Sequence, residues 1–365
     1  MILHLYFARR FVLSLVVIAG VLTALVVLVD LFDQTRRFAE FDIGLARLVG
    51  LTLLNVPETL DQMLPLITIL GTISLFLALA RSSELVVTRA TGRSAMRALL
   101  SPVIVVLLIG VFATTTLGPI VAATSKRYAT LADGYRSGGI SALSVSEDGL
   151  WLRQGDTSGQ TVIRAGRSNT DASVLYDVTF VAYARDGGPA RRIEAASAAL
   201  GDGEWTLRNA KVWPLASGLN PEATAAVHDV LKVDSTLTLD RIRETLGTPA
   251  GVSIWDMREF ITQLEQAGFS ARKHEVWLQS QLARPLFLVA MVLIAAAFTM
   301  RHTRFGGTGT AVLAAVLLGF SLYFIRSFAQ ILGESGQIPV ILSAWAAPVA
   351  AVLLGLGLLL RTEDG

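Results

Sequence analysis

Long apolar runs alternate with short polar segments along this chain, and one extended polar stretch divides the runs into two groups. A helix needs about 20 apolar residues to cross the hydrocarbon core of a bilayer, and several runs come close to that length. The pattern predicts an α-helical membrane protein with three transmembrane helices on each side of the polar stretch. The predicted spans are residues 11–29, 63–80, 99–123, 285–300, 311–325 and 340–360.

The stretch 45–80 is too long for a simple crossing, because a single helix of that length extends about 54 Å. It contains Pro57 and Pro65. Proline removes a backbone donor and tends to break a helix. We therefore predict an interfacial helix followed by a separate crossing helix.

The polar stretch between the two groups has the pattern of β-structure, with short, partly alternating runs separated by glycine-rich turns. In "VLYDVTFVAYARDG", Tyr176, Val178 and Phe180 fall on one face and Asp177 and Thr179 on the other. This alternation is typical of a sheet with one packed and one solvated face. Several strands without interleaved helices predict a sandwich or a jelly roll. The predicted domains are 1–125 with spans one to three, 126–279 with the β domain and a C-terminal helical connector, and 280–365 with spans four to six.

Arginines cluster in the loops on one side of the predicted spans. Short cytoplasmic loops are enriched in Lys and Arg, so these loops indicate the cytoplasmic side. Both termini are then expected to be cytoplasmic, and the β domain lies on the opposite side. The arginines concerned are Arg9, Arg10, Arg81, Arg89, Arg93, Arg97, Arg301, Arg304 and Arg361.

The composition supports a membrane protein and excludes several kinds of chemistry. Only 16% of the 365 residues are charged, against roughly 25% in soluble domains, and the net charge of +2 gives no sign of a nucleic-acid partner. The absence of cysteine excludes disulfides and thiolate chemistry. All four lysines lie in the predicted outer domain, and no G-x-x-x-x-G-K-[ST] motif is present for nucleotide phosphates. We expect no catalytic residue, no cofactor and no metal site, since the four histidines lack ligand spacing.

A charged segment, "LARSSELVVTRATGRSAMRA", interrupts the apolar pattern after the second span. Ser83 can cap a short helix, Glu84 favours its first turn, and Gly92 can end it. The segment predicts a helix over about 82–93 at the cytoplasmic face. Two interpretations remain open: a loop that only fixes the orientation of the spans, or a surface on which a partner docks.

A second candidate, "DLFDQTRRF", follows the first span and contains Arg36 and Arg37. Guanidinium groups match the geometry of phosphate oxygens, so this pair is a candidate site for the phosphates of an anionic lipid. In the alternative interpretation, the two arginines are interfacial charges neutralised by Asp30 and Asp33.

Several of these stretches together resemble the LptF/LptG family of lipopolysaccharide-export permeases. The resemblance rests on "VDLFDQTRR", on "LLNVPETLDQMLPLITILGTISLFLALARSSELVVTRATGRS", on "GLWLRQG" at the start of the β domain and on "QIPVILSAWAAP" before the last span. It covers the whole chain. The stretches "DQTRR" and "SELVV" are more similar to the LptG member than to LptF.

The resemblance implies a permease subunit of an ATP-driven exporter that extracts lipopolysaccharide from the bacterial inner membrane and passes it to a periplasmic bridge. The chain would be a transport subunit without its own ATPase site. Its implied partners are an LptF-like sister permease in a heterodimer, a cytoplasmic LptB-like ATPase dimer, LptC-like and LptA-like bridge proteins, and lipopolysaccharide. The β domain would be a periplasmic jelly roll. The alternative function is a non-transporting envelope scaffold or partner-binding membrane protein.

The resemblance also implies roles for particular residues. Arg36 and Arg37 would contact lipopolysaccharide phosphates, although Asp30 departs from the family, whose members can be basic nearby. Glu84 would meet basic residues of the ATPase. The implied ATPase-coupling helix contains Ser83, Glu84, Leu85, Val86, Arg89, Gly92 and Arg93.

Overall fold

The computed structural model describes residues 2–39, 43–82, 84, 95–137, 143–146, 149–156, 159–169, 173–184, 188–201, 203–215, 220–235, 237, 249–266, 270–300 and 308–363. A π-helical segment, Ala113–Leu117, joins the third and fourth helices. The helices are α1 (Ile2–Arg37), α2 (Leu45–Arg81), α3 (Ala95–Phe112), α4 (Gly118–Ser137), α5 (Met257–Gln266), α6 (Arg272–Thr299), α7 (Thr308–Glu334) and α8 (Val340–Glu363).

Six helical stretches in the described part of the chain are long and apolar enough to cross a membrane. They are α1, α2, the continuous α3–α4 stretch, α6, α7 and α8. Three precede the strands and three follow them, which confirms the expected class of helical membrane protein with an inserted β domain. Each helix extends beyond the apolar run that predicted it, because the charged residues at the ends of the runs are also helical.

The chain folds into two compact units, and the first consists of Met1–Ser125 and Arg272–Gly365. Its central helix is α6, which is buried along most of its length and packs against α2, α3, α7 and α8. Residues 272–279, which the sequence analysis assigns to the connector, are the first turns of this helix. Gly110 permits a close approach of α3, since a Cβ atom there would lie 2.7 Å from the Cα atom of Pro285. Small residues at such crossings are typical of helix packing in membranes.

The predicted break in α2 is wrong, because the helix is continuous from Leu45 to Arg81 with Pro57 and Pro65 inside it. Each proline removes one backbone hydrogen bond. In membrane helices, packing against neighbouring helices and side-chain hydroxyls compensates for this loss. At 1.5 Å per residue, α2 is roughly 55 Å long.

The second unit, Lys126–Ala271, contains the strands. They form one antiparallel sheet in consecutive order, so each described strand pairs with its neighbours in sequence. This order is simpler than the two-sheet sandwich or jelly roll that the sequence pattern predicts. The reason is that each described strand forms its ladder with the strands that precede and follow it in the sequence. The strands are β1 (Leu143–Ser146), β2 (Gly149–Asp156), β3 (Gly159–Ser168), β4 (Val174–Ala184), β5 (Pro189–Leu200), β6 (Glu204–Pro214) and β7 (Ala226–Asp234).

One face of the sheet is packed with apolar side chains and is covered in part by Leu264 of α5. Phe180 and Trp205 meet there edge to face, with ring centroids 6.0 Å apart. The predicted face of Val178 and Phe180 is confirmed, whereas the prediction for Tyr176 is wrong, since that side chain is 39% exposed. The reason is Asp177, whose φ of 53° interrupts the alternation of β4. Left-handed backbone conformations are enriched in Asp and Asn.

Candidate functional site

Helices α1 and α2 pack side by side, and polar residues gather at both ends of this pair. We call these the Arg36 end and the Glu84 end. Between them, the packing is apolar except where the hydroxyl of Ser14 donates to the carbonyl of Gly71 at 3.1 Å. At the same level, a Cβ atom on Gly71 would lie 2.5 Å from Leu15. Packing of this kind brings the backbones of the two helices close together at this level.

The structure separates the two arginines of the predicted phosphate site. The Nε of Arg37 lies 2.7 Å from a carboxylate oxygen of Asp33, one turn earlier in α1. Arg36 is exposed, and none of the carboxylates in the described ranges forms an ion pair with it. The two side chains therefore differ in their availability to an anionic ligand.

Asp30 pairs with neither arginine. The amide nitrogen of Asn55 in α2 donates to its Oδ1 at 2.7 Å, and Gln34 is 3.5 Å from its Oδ2. Asp30 therefore joins α1 to α2 instead of cancelling the charge at the end of α1. The alternative interpretation of this segment holds for Asp33 with Arg37, but not for Asp30.

A groove of about 490 Å³ lies along α1 at the Arg36 end. Its walls are aliphatic and aromatic along most of their length and become charged near Arg36. Such a surface suits a ligand with hydrocarbon chains and an anionic headgroup, because guanidinium binds phosphate and the walls accept apolar chains. The lining residues are Leu25, Val26, Val29, Asp30, Phe32, Asp33, Arg36 and Thr59.

At the Glu84 end, the carboxylate of Glu84 is held by α1. The Nη1 of Arg10 donates to both of its oxygens, at 2.7 and 2.8 Å, and the hydroxyl of Tyr6 donates to Oε2 at 3.0 Å. The hydrogen bond from Arg10 stabilises the ionised form and places the pKa of Glu84 below its ordinary value. Glu84 is therefore an anion at neutral pH. The other residues of the predicted coupling helix, Ser83, Leu85, Val86, Arg89, Gly92 and Arg93, lie outside the described residues.

The helical unit contains a buried ion pair that the sequence pattern does not predict. Arg284 of α6 donates through Nη1 and Nη2 to the two carboxylate oxygens of Asp61 in α2, both at 2.6 Å. The side chains are only 8% and 9% exposed. They were overlooked because the predicted spans begin at 63 and 285, just after each charge. The signal in the sequence is one acidic and one basic residue, each standing directly before an apolar run.

Arg326 of α7 lies close to this ion pair. Its guanidinium carbon is 5.0 Å from the centre of the Phe287 ring, and its electrostatic neighbours include Arg284 and Asp61. The side chain is 9% exposed. The cluster thus contains two guanidinium groups and one carboxylate. Ionisable residues in membrane helices are rare and usually have a role in function or in specific packing.

No group of three or more potential metal ligands occurs among the described residues. The polar atoms at the two ends of the α1–α2 pair are those of ion pairs and amide hydrogen bonds. These arrangements suit the binding of a ligand or a partner protein.

Comparison with known proteins shows similarity along nearly the whole chain. Residues 5–361 match the family described as lipopolysaccharide export system permease LptF/LptG. The lipopolysaccharide export system permease protein LptG of Escherichia coli strain K12 is 25% identical over 368 residues, covering 99% of this chain and 98% of that protein. LptG of Haemophilus influenzae is 22% identical over 346 residues, covering 94% of each chain. The similarity includes both groups of long helices and the strands between them.

Proposed function

Because this chain belongs to the LptF/LptG family of lipopolysaccharide export system permeases, we propose that it is the LptG-like subunit of an ATP-driven lipopolysaccharide exporter. It resides in the bacterial inner membrane, with both termini in the cytoplasm and the β domain in the periplasm. The arginine distribution supports this orientation. The names of the two relatives support the LptG-like assignment.

The groove at the Arg36 end is the proposed contact site for lipopolysaccharide. Its apolar walls accept acyl chains, and Arg36 binds a lipid phosphate. The observation that carries this proposal is an exposed guanidinium without an ion-pair partner in the described part of the chain, at the edge of a groove whose two carboxylates, Asp30 and Asp33, already have partners in Asn55 and Arg37. Arg37, which already pairs with Asp33, contributes positive charge near the same phosphate.

Energy reaches the chain through the coupling segment, residues 82–93. The sequence contains no P-loop, so the proposal assigns ATP hydrolysis to a separate LptB-like dimer bound at the cytoplasmic face. The ionised carboxylate of Glu84 attracts a basic residue of that partner, and Ser83, Leu85, Val86, Arg89, Gly92 and Arg93 complete the coupling helix. An LptF-like sister permease closes the cavity. LptC-like and LptA-like proteins receive the glycolipid from the β domain, which spans residues 126–279 with its connector.

The test is the amount of lipopolysaccharide that stays bound to the purified complex with the sister permease and the ATPase, measured by mass spectrometry. Arg36→Ala removes a charged hydrogen bond of about 1.5–3 kcal/mol, so retention should fall roughly tenfold or more. Arg37→Ala is the matched control and should reduce retention less, because Arg37 is paired with Asp33. Equal retention in wild type and Arg36→Ala would discard the site.

A second measurement separates the exporter from a non-transporting scaffold. If the chain is a scaffold, the ATPase turnover of co-purified subunits does not depend on it, and no glycolipid is enriched over bulk phospholipid. If it is the permease, removal of the chain abolishes lipopolysaccharide-stimulated ATPase activity.

A further inference from the structure

The carboxylate of Glu84 follows the last residue of α2 by three positions and is nevertheless bonded to α1. Arg10, Tyr6 and Glu84 form a closed triangle, since Arg10 also donates to the Tyr6 hydroxyl at 2.8 Å. Each of the three groups thus contacts the other two. This arrangement fixes both the position and the direction of the carboxylate.

Helix α1 connects this triangle to the groove without interruption. It is one helix from Ile2 to Arg37, and Arg10 and Arg36 are separated by about 39 Å at 1.5 Å per residue. At the Arg36 end, Asp30 is bonded to Asn55 of α2. A displacement of α1 at Arg10 is therefore transmitted along a rigid element to the wall of the groove.

We propose that Arg10 is a positioning residue that fixes Glu84 to α1, so that a movement of the coupling segment moves α1 directly as well as α2. The inference rests on the proposed function and adds a second mechanical path to it. Without Arg10, the hydrogen bond from the Tyr6 hydroxyl still ties the carboxylate to α1, but the stronger charged contact is gone and the direction of the carboxylate is no longer fixed.

The chemistry of arginine suits this role. One Nη group reaches both oxygens of the carboxylate and the tyrosine hydroxyl, so the guanidinium holds an orientation as well as a distance. Lysine has a compact ammonium on a flexible stem, which attracts the carboxylate without fixing its direction. The side chains of Arg10 and Glu84 are about one-third exposed, at 31% and 32%. A basic residue of a partner can therefore approach the same carboxylate.

The experiment compares Arg10→Gln and Arg10→Lys in the complete complex reconstituted in liposomes. The measured quantity is the number of lipopolysaccharide molecules released per ATP hydrolysed. We expect this ratio to fall roughly fivefold or more in Arg10→Gln, which is the lower end of typical coupling effects between sites. Arg10→Lys should restore part of it. Arg9→Gln is the matched control, because Arg9 is adjacent, exposed and in no ion pair with another described residue.

A distance measurement tests the mechanical path itself. The chain contains no cysteine, so Leu13→Cys on α1 and Leu53→Cys on α2 provide two unique spin-labelling sites, 62% and 59% exposed. If Arg10 transmits movement to α1, the ATP-dependent change of this distance in Arg10→Gln should differ from that in wild type, whereas Arg9→Gln should match wild type. A change of equal size in both variants overturns the inference.

The two hypotheses fail in different ways. If the wild-type complex releases no lipopolysaccharide in response to ATP, the proposed function is wrong and the inference falls with it. If wild type is active and Arg10→Gln gives the same release per ATP as Arg9→Gln, only the inference is wrong. Co-purification of the sister permease with each variant shows that the complex assembles.

Discussion

Breaking the buried pair of Asp61 and Arg284 should destabilise the helical unit more than the loss of any exposed ion pair. Two charges about 4 Å apart interact by roughly 4 kcal/mol at an effective dielectric constant of 20. The measured cost of removing one partner of a buried pair is about 3–5 kcal/mol, because the other charge stays buried and uncompensated. We therefore expect Asp61→Leu to lower the free energy of unfolding by about that amount.

The neighbouring charge makes the two single substitutions unequal. Asp61→Leu leaves Arg284 and Arg326 as two buried cations without the carboxylate that lies near both. Arg284→Met leaves Asp61 within the field of Arg326, which offsets part of the lost attraction. Asp61→Leu should accordingly be the more destabilising change. The double substitution replaces the pair with apolar groups and should recover most of the loss, since such replacements are often neutral or stabilising.

The assay is the midpoint of thermal aggregation of the detergent-solubilised protein, followed by size-exclusion chromatography after heating. At roughly 2–4 °C per kcal/mol for a unit of this size, Asp61→Leu should lower the midpoint by about 6–20 °C. Asp33→Leu is the matched control, because it breaks the exposed pair with Arg37, which contributes about 0–1 kcal/mol. Equal decreases of the midpoint in Asp61→Leu and Asp33→Leu would refute this reasoning. So would a double variant whose decrease equals the sum of the decreases in Asp61→Leu and Arg284→Met.

Two further predictions concern packing and charge. Gly110→Val should destabilise the helical unit by about 1–3 kcal/mol, because the new Cβ atom lies 2.7 Å from the Pro285 backbone. Gly20→Val is the control, since a Cβ atom there has no neighbour within 4 Å. It should have a smaller effect in the same heating assay. In the β domain, Glu222 accepts from the indole of Trp213 at 2.7 Å, and hydrogen bonds from a lysine and from this indole hold the pKa of Glu222 below its ordinary value of 4.5. Because the pKa of Glu222 is depressed, its hydrogen bond with Trp213 is complete above pH 4.5 and is lost as the pH falls below that value. The indole resonance of Trp213 in ¹⁵N-tryptophan-labelled protein should therefore shift below pH 4.5. The shift should be absent in Glu222→Gln.

The number and order of the long helices could be predicted from the sequence. Each crossing helix needs about 20 apolar residues, and a run of this kind is visible in the pattern of apolar and polar positions. The ends of the helices could not be predicted. A span was ended at each charge, since an isolated charge is costly in hydrocarbon. Asp61 and Arg284 neutralise each other, so neither is an isolated charge in hydrocarbon. A pairing between residues 223 positions apart is not visible in a local pattern. The continuity of α2 through its prolines was missed for the same reason, because packing from other helices compensates for the lost hydrogen bonds.

For the candidate site, the sequence predicted the residues but not their partners. The sequence singled out Arg36, Arg37 and Glu84 by charge and by resemblance, and the structure describes all three. Their partners depend on tertiary packing, so the sequence could not distinguish the paired Arg37 from the exposed Arg36. Likewise, Arg10 was expected only to mark the orientation of the chain, whereas its guanidinium contacts Glu84.

Helix α2 is the element to which the other parts of the helical unit are tied. Three polar residues follow one another here at intervals of three: Asn55, Glu58 and Asp61. They occupy about 9 Å along the helix axis and cover an arc of about 120° around it. Each contacts a different helix, through Asp30 of α1, Ser125 of α4 and Arg284 of α6. Since α6 is the buried centre of the unit and its pair with α2 is the least exposed of the three, this part of α2 is firmly held next to Thr59, its one residue in the lining of the groove. Helix α1 supplies the other lining residues, so the groove depends on how α1 is held against α2, and the hydrogen bond from Asn55 to Asp30 is a polar contact that holds it at this end.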